Sequence, residues 1–160
     1  MMMSYRYTLG YIALIVLVNW GFTVVPLLEM PGGEMWPPMS LAVGLIFVAR
    51  DYAQREFGHR VILAMLIAAA LSYVMASPFV ALASLTAFLL SEFADWGLYS
   101  FTKKPFADRI LWSSALATPI DSMVFLAMIN HLSVTGVVAM TISKMLGALI
   151  VWQIVRRRCA

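Results

Sequence analysis

The sequence predicts an all-α, polytopic membrane protein with six transmembrane helices and with both termini on the cytoplasmic side. The first observation is composition: 62% of the 160 residues are hydrophobic and only 12% are charged, about half the charged share of a typical soluble domain. The second is a series of apolar stretches of about 20 residues, the length that crosses a hydrocarbon layer of roughly 30 Å. The third is the placement of Lys and Arg between those stretches.

Six apolar stretches occupy nearly the whole chain. They are predicted at about residues 8–27, 36–54, 61–79, 81–101, 110–130 and 134–155. Because the connections between them are too short for a soluble domain, residues 1–160 are predicted to form a single transmembrane domain. The first stretch follows Arg6 but has no small-residue cleavage site behind it, so we expect a retained helix and not a signal peptide.

Basic residues lie at every second connection. Cytoplasmic connections of membrane proteins are enriched in Lys and Arg, and ten of the eleven basic residues lie before the first stretch, at the second and fourth turnarounds, or at the end of the chain. They are Arg6, Arg50, Arg55, Arg60, Lys103, Lys104, Arg109, Arg156, Arg157 and Arg158. Both termini are therefore predicted to be cytoplasmic, and the net charge of +3 is interpreted as membrane anchoring and not as nucleic-acid binding.

The second stretch is short and ends in charged residues. Pro37 and Pro38 break the preceding connection and suit the first turn of a helix. To cross the membrane, that helix has to include "ARDYAQREFG". There Asp51 and Arg55 have the spacing that allows a pair on one helix face, and Gly58 is a natural helix stop.

Four ionisable residues lie inside the last three predicted spans. They are Glu92, Asp95, Asp121 and Lys144. A charge at the bilayer centre costs on the order of 2.5 to 3.5 kcal/mol on insertion scales, so such residues face a bundle interior or a wet cavity. Glu92, Asp121 and Lys144 lie at similar distances from their span ends, and we expect them at one depth.

Aromatic and hydroxyl side chains share helix faces with these charges. They are Trp96 and Tyr99 in the fourth span, and Ser122 and Phe125 in the fifth. We expect Gly147 to let the sixth span approach its neighbours closely. The pattern predicts one pocket with aromatic walls, suited to a flat heterocycle with adjacent N–H donors, such as a guanine-like base.

Two other interpretations of the charges stay open. In the first, Lys144 pairs with one carboxylate and only holds the bundle together, which accounts for one of three acids. In the second, the acids form an ion or proton path, which has less need of the aromatic residues. Beyond Lys144, at least one acid must be protonated, paired with a distant Arg or reserved for a ligand.

Four segments resemble a known family in their order and separation. They are "ARDYAQREFG", "SEFADWGLYS", "TPIDSMVFLAMI" and "TISKMLGALI". Together they resemble the motifs of the VUT family of bacterial queuosine precursor transporters, over about residues 32–158. The resemblance implies uptake of 7-cyano-7-deazaguanine, or a related deazapurine, across the bacterial inner membrane for salvage into the tRNA nucleoside queuosine. It implies no cofactor.

The resemblance also implies roles for individual residues. Its motif positions fall on Asp51 and Gly58, on Glu92 and Asp95, on Asp121 and Ser122, and on Lys144. Arg55 departs from the family pattern, since many relatives have Glu there, and the connection between the third and fourth spans is shorter than in many relatives. The expected substrate-binding residues are Glu92, Asp95, Trp96, Tyr99, Asp121, Ser122, Phe125 and Lys144. The expected structural or gating residues are Asp51, Arg55 and Gly58.

Two functions of other classes stay open. One is a substrate-binding membrane subunit of a multi-component vitamin or nucleobase importer, and the other is a structural membrane protein without transport. An enzyme is not expected: His59 and His131 lie at opposite ends of the spans and cannot form a metal-ligand pair, and the lone Cys159 excludes a multi-cysteine metal site. The expected partners are the deazapurine and the lipid bilayer, with no nucleic acid, and a homodimer is left open.

Overall fold

The computed structural model describes residues 5–31, 33, 35–75, 78–102 and 104–159, and these form six long α-helices. The helices are α1 (Arg6–Val24), α2 (Ser40–Phe57), α3 (Val61–Met75), α4 (Pro78–Phe101), α5 (Phe106–Met128) and α6 (Val134–Cys159). Their bounds lie within four residues of the predicted stretches, and the all-α class is confirmed. Lys103, part of the predicted charge pattern, lies outside the described residues.

Within the described residues, four helical segments are long and apolar enough to cross a membrane. They are Arg6–Val24, Ser40–Met75, Phe106–Met128 and Val134–Arg157. The second contains both α2 and α3, which are joined by a single 3₁₀ turn, Gly58–Arg60. Several such helices in one chain are typical of a multi-pass membrane protein.

Charged side chains lie inside the bundle beside an apolar core, and large apolar side chains lie on its outside. Arg50, Glu92 and Lys144 are almost completely buried, whereas Leu63 and Ile67 on α3 are more than half exposed. Large apolar side chains are exposed on other helices as well. A soluble protein would show the reverse, because extended exposed apolar patches are disfavoured in water. The lipid bilayer is the solvent that suits this surface.

The contact between α2 and α6 is made by two glycines. A Cβ atom on Gly44 would overlap the backbone carbonyl oxygen of Lys144, and one on Gly147 would lie 2.8 Å from the carbonyl oxygen of Leu41. Backbone can approach backbone only because both positions lack a side chain. The expectation that Gly147 brings α6 close to a neighbour is confirmed.

Gly58 ends α2. Its φ of 63° and ψ of −145° form a conformation that only glycine adopts readily, and its N–H donates to the carbonyl of Gln54. The expected helix stop is confirmed. At the other end of α2, Pro37 and Pro38 lie just before the helix and not in its first turn, with their carbonyls accepting from the N–H groups of Ser40 and Leu41.

The connection between α1 and α2 contains a short antiparallel ladder. Its strands are β1 (Leu28–Glu29) and β2 (Met35–Trp36). The indole Nε1 of Trp36 donates to Ser143 Oγ at 2.8 Å, which ties the second strand to α6. The ladder therefore sits over one end of the bundle.

The N-terminus of α1 is capped by a residue of α2. Oε2 of Glu56 accepts from the backbone N–H of Thr8 at 2.9 Å and from its hydroxyl at 3.0 Å. The first turn of α1 has no acidic residue of its own. Glu56 supplies the negative charge and the acceptor that a helix N-terminus requires.

Replacing Glu56 with alanine is expected to lower the free energy of unfolding by about 1 kcal/mol, the usual effect of removing a helix cap. Thermal unfolding of the purified protein in detergent measures this. The exposed Glu29, changed to alanine, is the control that removes a carboxylate without a cap. A melting temperature of Glu56→Ala that matches the control would contradict the capping role.

Candidate functional site

A cluster of charged side chains lies inside the bundle. We call it the charged core, and its members are Arg50, Asp51, Glu92, Asp95, Asp121 and Lys144. Four helices contribute to it, α2, α4, α5 and α6. It has a larger part around Arg50 and a smaller part around Lys144.

Arg50 is the centre of the larger part and is completely buried. Its Nη2 lies 2.8 Å from Asp51 Oδ1 and forms an ion pair with Asp95 Oδ2. Its Nε lies 3.8 Å from Glu92 Oε2, and its Nη1 donates to Gln54 Oε1. One guanidinium thus pairs with three carboxylates and donates to an amide, which suits the planar, five-donor geometry of arginine.

The expectation that Arg50 is an anchor at the membrane boundary is wrong. Its guanidinium points into the bundle because α4 places Asp95 and Glu92 opposite it. Arg55 is exposed, and its guanidinium carbon lies 4.6 Å from the ring centroid of Phe106. The partner of Asp51 is accordingly Arg50 and not Arg55, which sequence spacing alone favours.

Two further side chains that the sequence did not point to donate to carboxylates of the larger part. The buried Tyr11 of α1 donates its hydroxyl to Glu92 Oε2 at 2.9 Å. The buried Ser113 of α5 donates to Asp51 Oδ2 at 3.0 Å. A tyrosine in an apolar first span carries no charge signal, so its place next to Glu92 follows only from the packing of α1.

The smaller part joins α5 and α6. Lys144 Nζ forms an ion pair with Asp121 Oδ2 and lies 3.1 Å from Ser122 Oγ. Ser91 of α4 donates to Asp121 Oδ1 at 3.3 Å. Lys144 therefore does pair with one carboxylate. The side chain of Asp121 is 15% exposed, whereas Arg50 and the three carboxylates around it are fully buried.

The aromatic residues named by the sequence analysis pack against other side chains. Tyr99 lies 5.7 Å from the guanidinium carbon of Arg50 and stands edge-on to Phe106. Trp96 stands edge-on to His59, with ring centroids 5.7 Å apart. Phe125 lies one turn beyond Asp121 and is half-buried. Tyr99 thus borders the larger part, and Phe125 lies on the helix that carries Asp121.

A groove of about 260 Å³ lies between α1, α2 and α6. Arg6 and Tyr11 line it on α1, Tyr52 on α2 and Val151 on α6. Tyr11, which donates to Glu92, thus borders both this groove and the larger part of the charged core.

The charged core holds more acids than bases. Four carboxylates, those of Asp51, Glu92, Asp95 and Asp121, face two cations, Arg50 and Lys144. Among the described residues, several buried polar atoms also lack a hydrogen-bond partner. They include Glu92 Oε1, Trp96 Nε1, Ser114 Oγ and Thr118 Oγ1. Buried polar groups are normally satisfied, so the arrangement has capacity for protons or a polar ligand.

Comparisons of the chain with protein-family models, with curated proteins and with solved structures give no match.

Proposed function

We propose that the protein is a transporter of the bacterial inner membrane that imports 7-cyano-7-deazaguanine or a related deazapurine, as the resemblance to the VUT family implies. In this proposal the six helices all cross the bilayer and both termini are cytoplasmic. The protein acts without a cofactor and performs no chemical step. The observation that carries the proposal is the charged core, with four acids and two bases inside a bundle whose outer surface is apolar.

Stability alone does not explain a cluster of six charged side chains inside the bundle. Each charged side chain at the bilayer centre costs about 2.5 to 3.5 kcal/mol on insertion scales, and apolar packing often holds helices as well as a buried ion pair does. In membrane proteins such residues typically mark a substrate or ion pathway. The excess of acids over bases suits a site for a ligand with N–H donors.

Within the core, Asp121 is the best carboxylate for the substrate. Asp51 and Asp95 are engaged by Arg50 and fully buried, whereas Asp121, although paired with Lys144, is the carboxylate with exposed surface. A carboxylate can accept two parallel N–H donors from the edge of a guanine-like base. Lys144 and Ser122 then meet its carbonyl or nitrile, and Phe125 is the nearest aromatic ring along α5.

The experiment measures queuosine in the tRNA of cells that cannot make deazaguanine. The cells express this chain alone and receive a low concentration of 7-cyano-7-deazaguanine. We expect queuosine with the wild type and at least about a tenfold loss in Asp121→Asn, because a hydrogen bond to a charged group contributes about 1.5–3 kcal/mol and 1.4 kcal/mol is a factor of ten. Glu29→Gln is the matched control, since it changes an exposed carboxylate to an amide.

Two results would count against the proposal. Queuosine at the wild-type level in Asp121→Asn would contradict the assignment of the substrate site. No queuosine with the wild type, although the protein is in the membrane, would contradict a self-sufficient importer of this substrate. The alternatives, a subunit of a multi-component importer or a structural protein, are then separated by a binding measurement on the purified chain.

A further inference from the structure

Glu92 is the weakest-paired acid of the larger part. It is 0% exposed, and its distance to the guanidinium, 3.8 Å, is the longest of the three contacts that Arg50 makes with carboxylates. Its Oε2 accepts from Tyr11, and its Oε1 has no hydrogen-bond partner among the described residues. An ionised carboxylate with one bare, buried oxygen is a costly arrangement.

The charges around Glu92 favour a neutral acid. Arg50 supplies one positive charge, and Asp51 and Asp95 already use it from α2 and α4. On α5 the nearest acid is Asp121, which is neutralised by Lys144 of α6. On α1 the facing group is the hydroxyl of Tyr11. The buried face of α3 is uncharged, with Ser72 as its polar residue.

A proton suits this place better than a metal ion. No group of three or more His, Cys, Asp or Glu side chains among the described residues has the arrangement that could hold a metal. Like carboxylates in one low-dielectric site share protons because they cannot all ionise. Because the guanidinium of Arg50 pairs with Asp51 and Asp95, Glu92 is the acid that we expect to carry the proton.

We propose that Glu92 holds an exchangeable proton inside the bundle, and that substrate movement is coupled to release of this proton, the second part resting on the transport function proposed above. The step is a simple ionisation. The O–H bond of the carboxylic acid breaks, both electrons stay on the carboxylate, and a water molecule accepts the proton. Tyr11 is a positioning residue, whose hydroxyl donates to Oε2 of Glu92 and which also lines the groove between α1, α2 and α6.

The proton itself is tested by infrared spectroscopy of the purified wild-type protein at neutral pH. A neutral carboxylic acid gives a carbonyl stretch that an ionised one lacks, and this band shifts in heavy water. We expect the band in the wild type, its loss in Glu92→Gln and its retention in Asp121→Asn. Glutamine has the shape of a protonated glutamate, so Glu92→Gln is expected to elute as folded protein. In Tyr11→Phe the band should move to higher frequency, because Oε2 loses its hydrogen bond.

The coupling is tested in proteoliposomes. Counterflow of labelled 7-cyano-7-deazaguanine without a gradient measures transport alone. A gradient of one pH unit is then expected to raise accumulation about tenfold, since one pH unit corresponds to about 1.4 kcal/mol per proton. Counterflow without any effect of the gradient, or with an effect of sodium in its place, would overturn the coupling while the transport function stands.

The two proposals fail in different ways. Absence of counterflow would contradict the transport function and, with it, the coupling, but the infrared band would still report the proton on Glu92. Absence of the band in the wild type, or its persistence in Glu92→Gln, would overturn the assignment of the proton to Glu92 whatever the transport assay shows. If Glu92→Gln does not fold, the shift in Tyr11→Phe decides, and an unshifted band overturns the assignment.

Discussion

Replacing Arg50 with methionine is expected to lower the free energy of unfolding by about 3–5 kcal/mol, the range measured when one partner of a buried ion pair is removed. Methionine keeps much of the length of the side chain but none of its charge. Asp51 and Asp95 would then be buried without a cation, and Glu92 would lose its only guanidinium neighbour among the described residues. Thermal unfolding in detergent and the yield of monodisperse protein measure the effect.

Two further variants separate charge from size. Arg55→Met removes an exposed arginine five residues further along the same helix, and we expect a change within about 0.5 kcal/mol, as for most surface substitutions. Adding Asp95→Asn to Arg50→Met should recover part of the loss, because it removes one of the uncompensated carboxylates. Wild-type stability in Arg50→Met would show that Arg50 is not the cation that neutralises the core.

Replacing Gly44 with alanine is the second substitution from which we expect a large loss of stability. The added methyl group would overlap the backbone of Lys144, and backbone cannot rotate away as a side chain can. Overpacking of this kind typically costs about 1–3 kcal/mol. Because α6 has to shift, the ammonium of Lys144 should also leave its place beside Asp121. Thermal unfolding measures the first effect, and the uptake assay measures the second.

Gly97→Ala is the matched control for that substitution. Gly97 lies inside α4, and a Cβ there would meet nothing within 4 Å apart from its own helix and chain neighbours. Alanine is the better helix former, so we expect unchanged or slightly higher stability and unchanged uptake. If Gly44→Ala behaved like Gly97→Ala, the close approach of α2 and α6 would have no energetic importance.

The six helices and their ends were largely predictable from the sequence. Long apolar stretches, proline before α2 and glycine after it are local signals, and local signals fix where a helix begins and ends. Gly147 was also predictable, because a small residue in a membrane helix commonly marks a close contact. Which helix it approaches, α2 through Gly44, was not, since that depends on packing between distant segments.

The place of Arg50 was misread because Arg55 and Arg60 follow it closely, and a run of arginines resembles a membrane boundary. Two signals pointed the other way. Arg50 follows Ser40, the first residue of α2, by ten positions, which is about 15 Å along a helix and half of a hydrocarbon layer of roughly 30 Å. The surplus of acids over Lys144 had also left open that one of them pairs with a distant Arg, and Arg50 is the arginine that pairs with Asp51 and Asp95.

The neighbours of Glu92 could not be predicted at all. Tyr11 is far from it in the chain, and no spacing rule connects α1 with α4. The pairing of Lys144 with Asp121, and not with Glu92, likewise depends on how α4, α5 and α6 rotate against each other. Residue types identified Glu92, Asp95, Asp121 and Lys144 as buried charges, but only the packing of the helices added Arg50 and Asp51 and assigned the partners of each.

The connections between the helices also limit how far neighbouring helices can slide apart. Each residue spans at most about 3.6 Å, so the three residues Gly58–Arg60 keep the facing ends of α2 and α3 close together. The connections at 102–105 and 129–133 are also short in sequence. The connection at 25–39 is much longer, although Trp36 ties its far end to α6. Of the described helices, α1 therefore has the longest tether. Tyr11 lies on this helix, so the side chain that donates to Glu92 belongs to the helix with the longest connection to its neighbour.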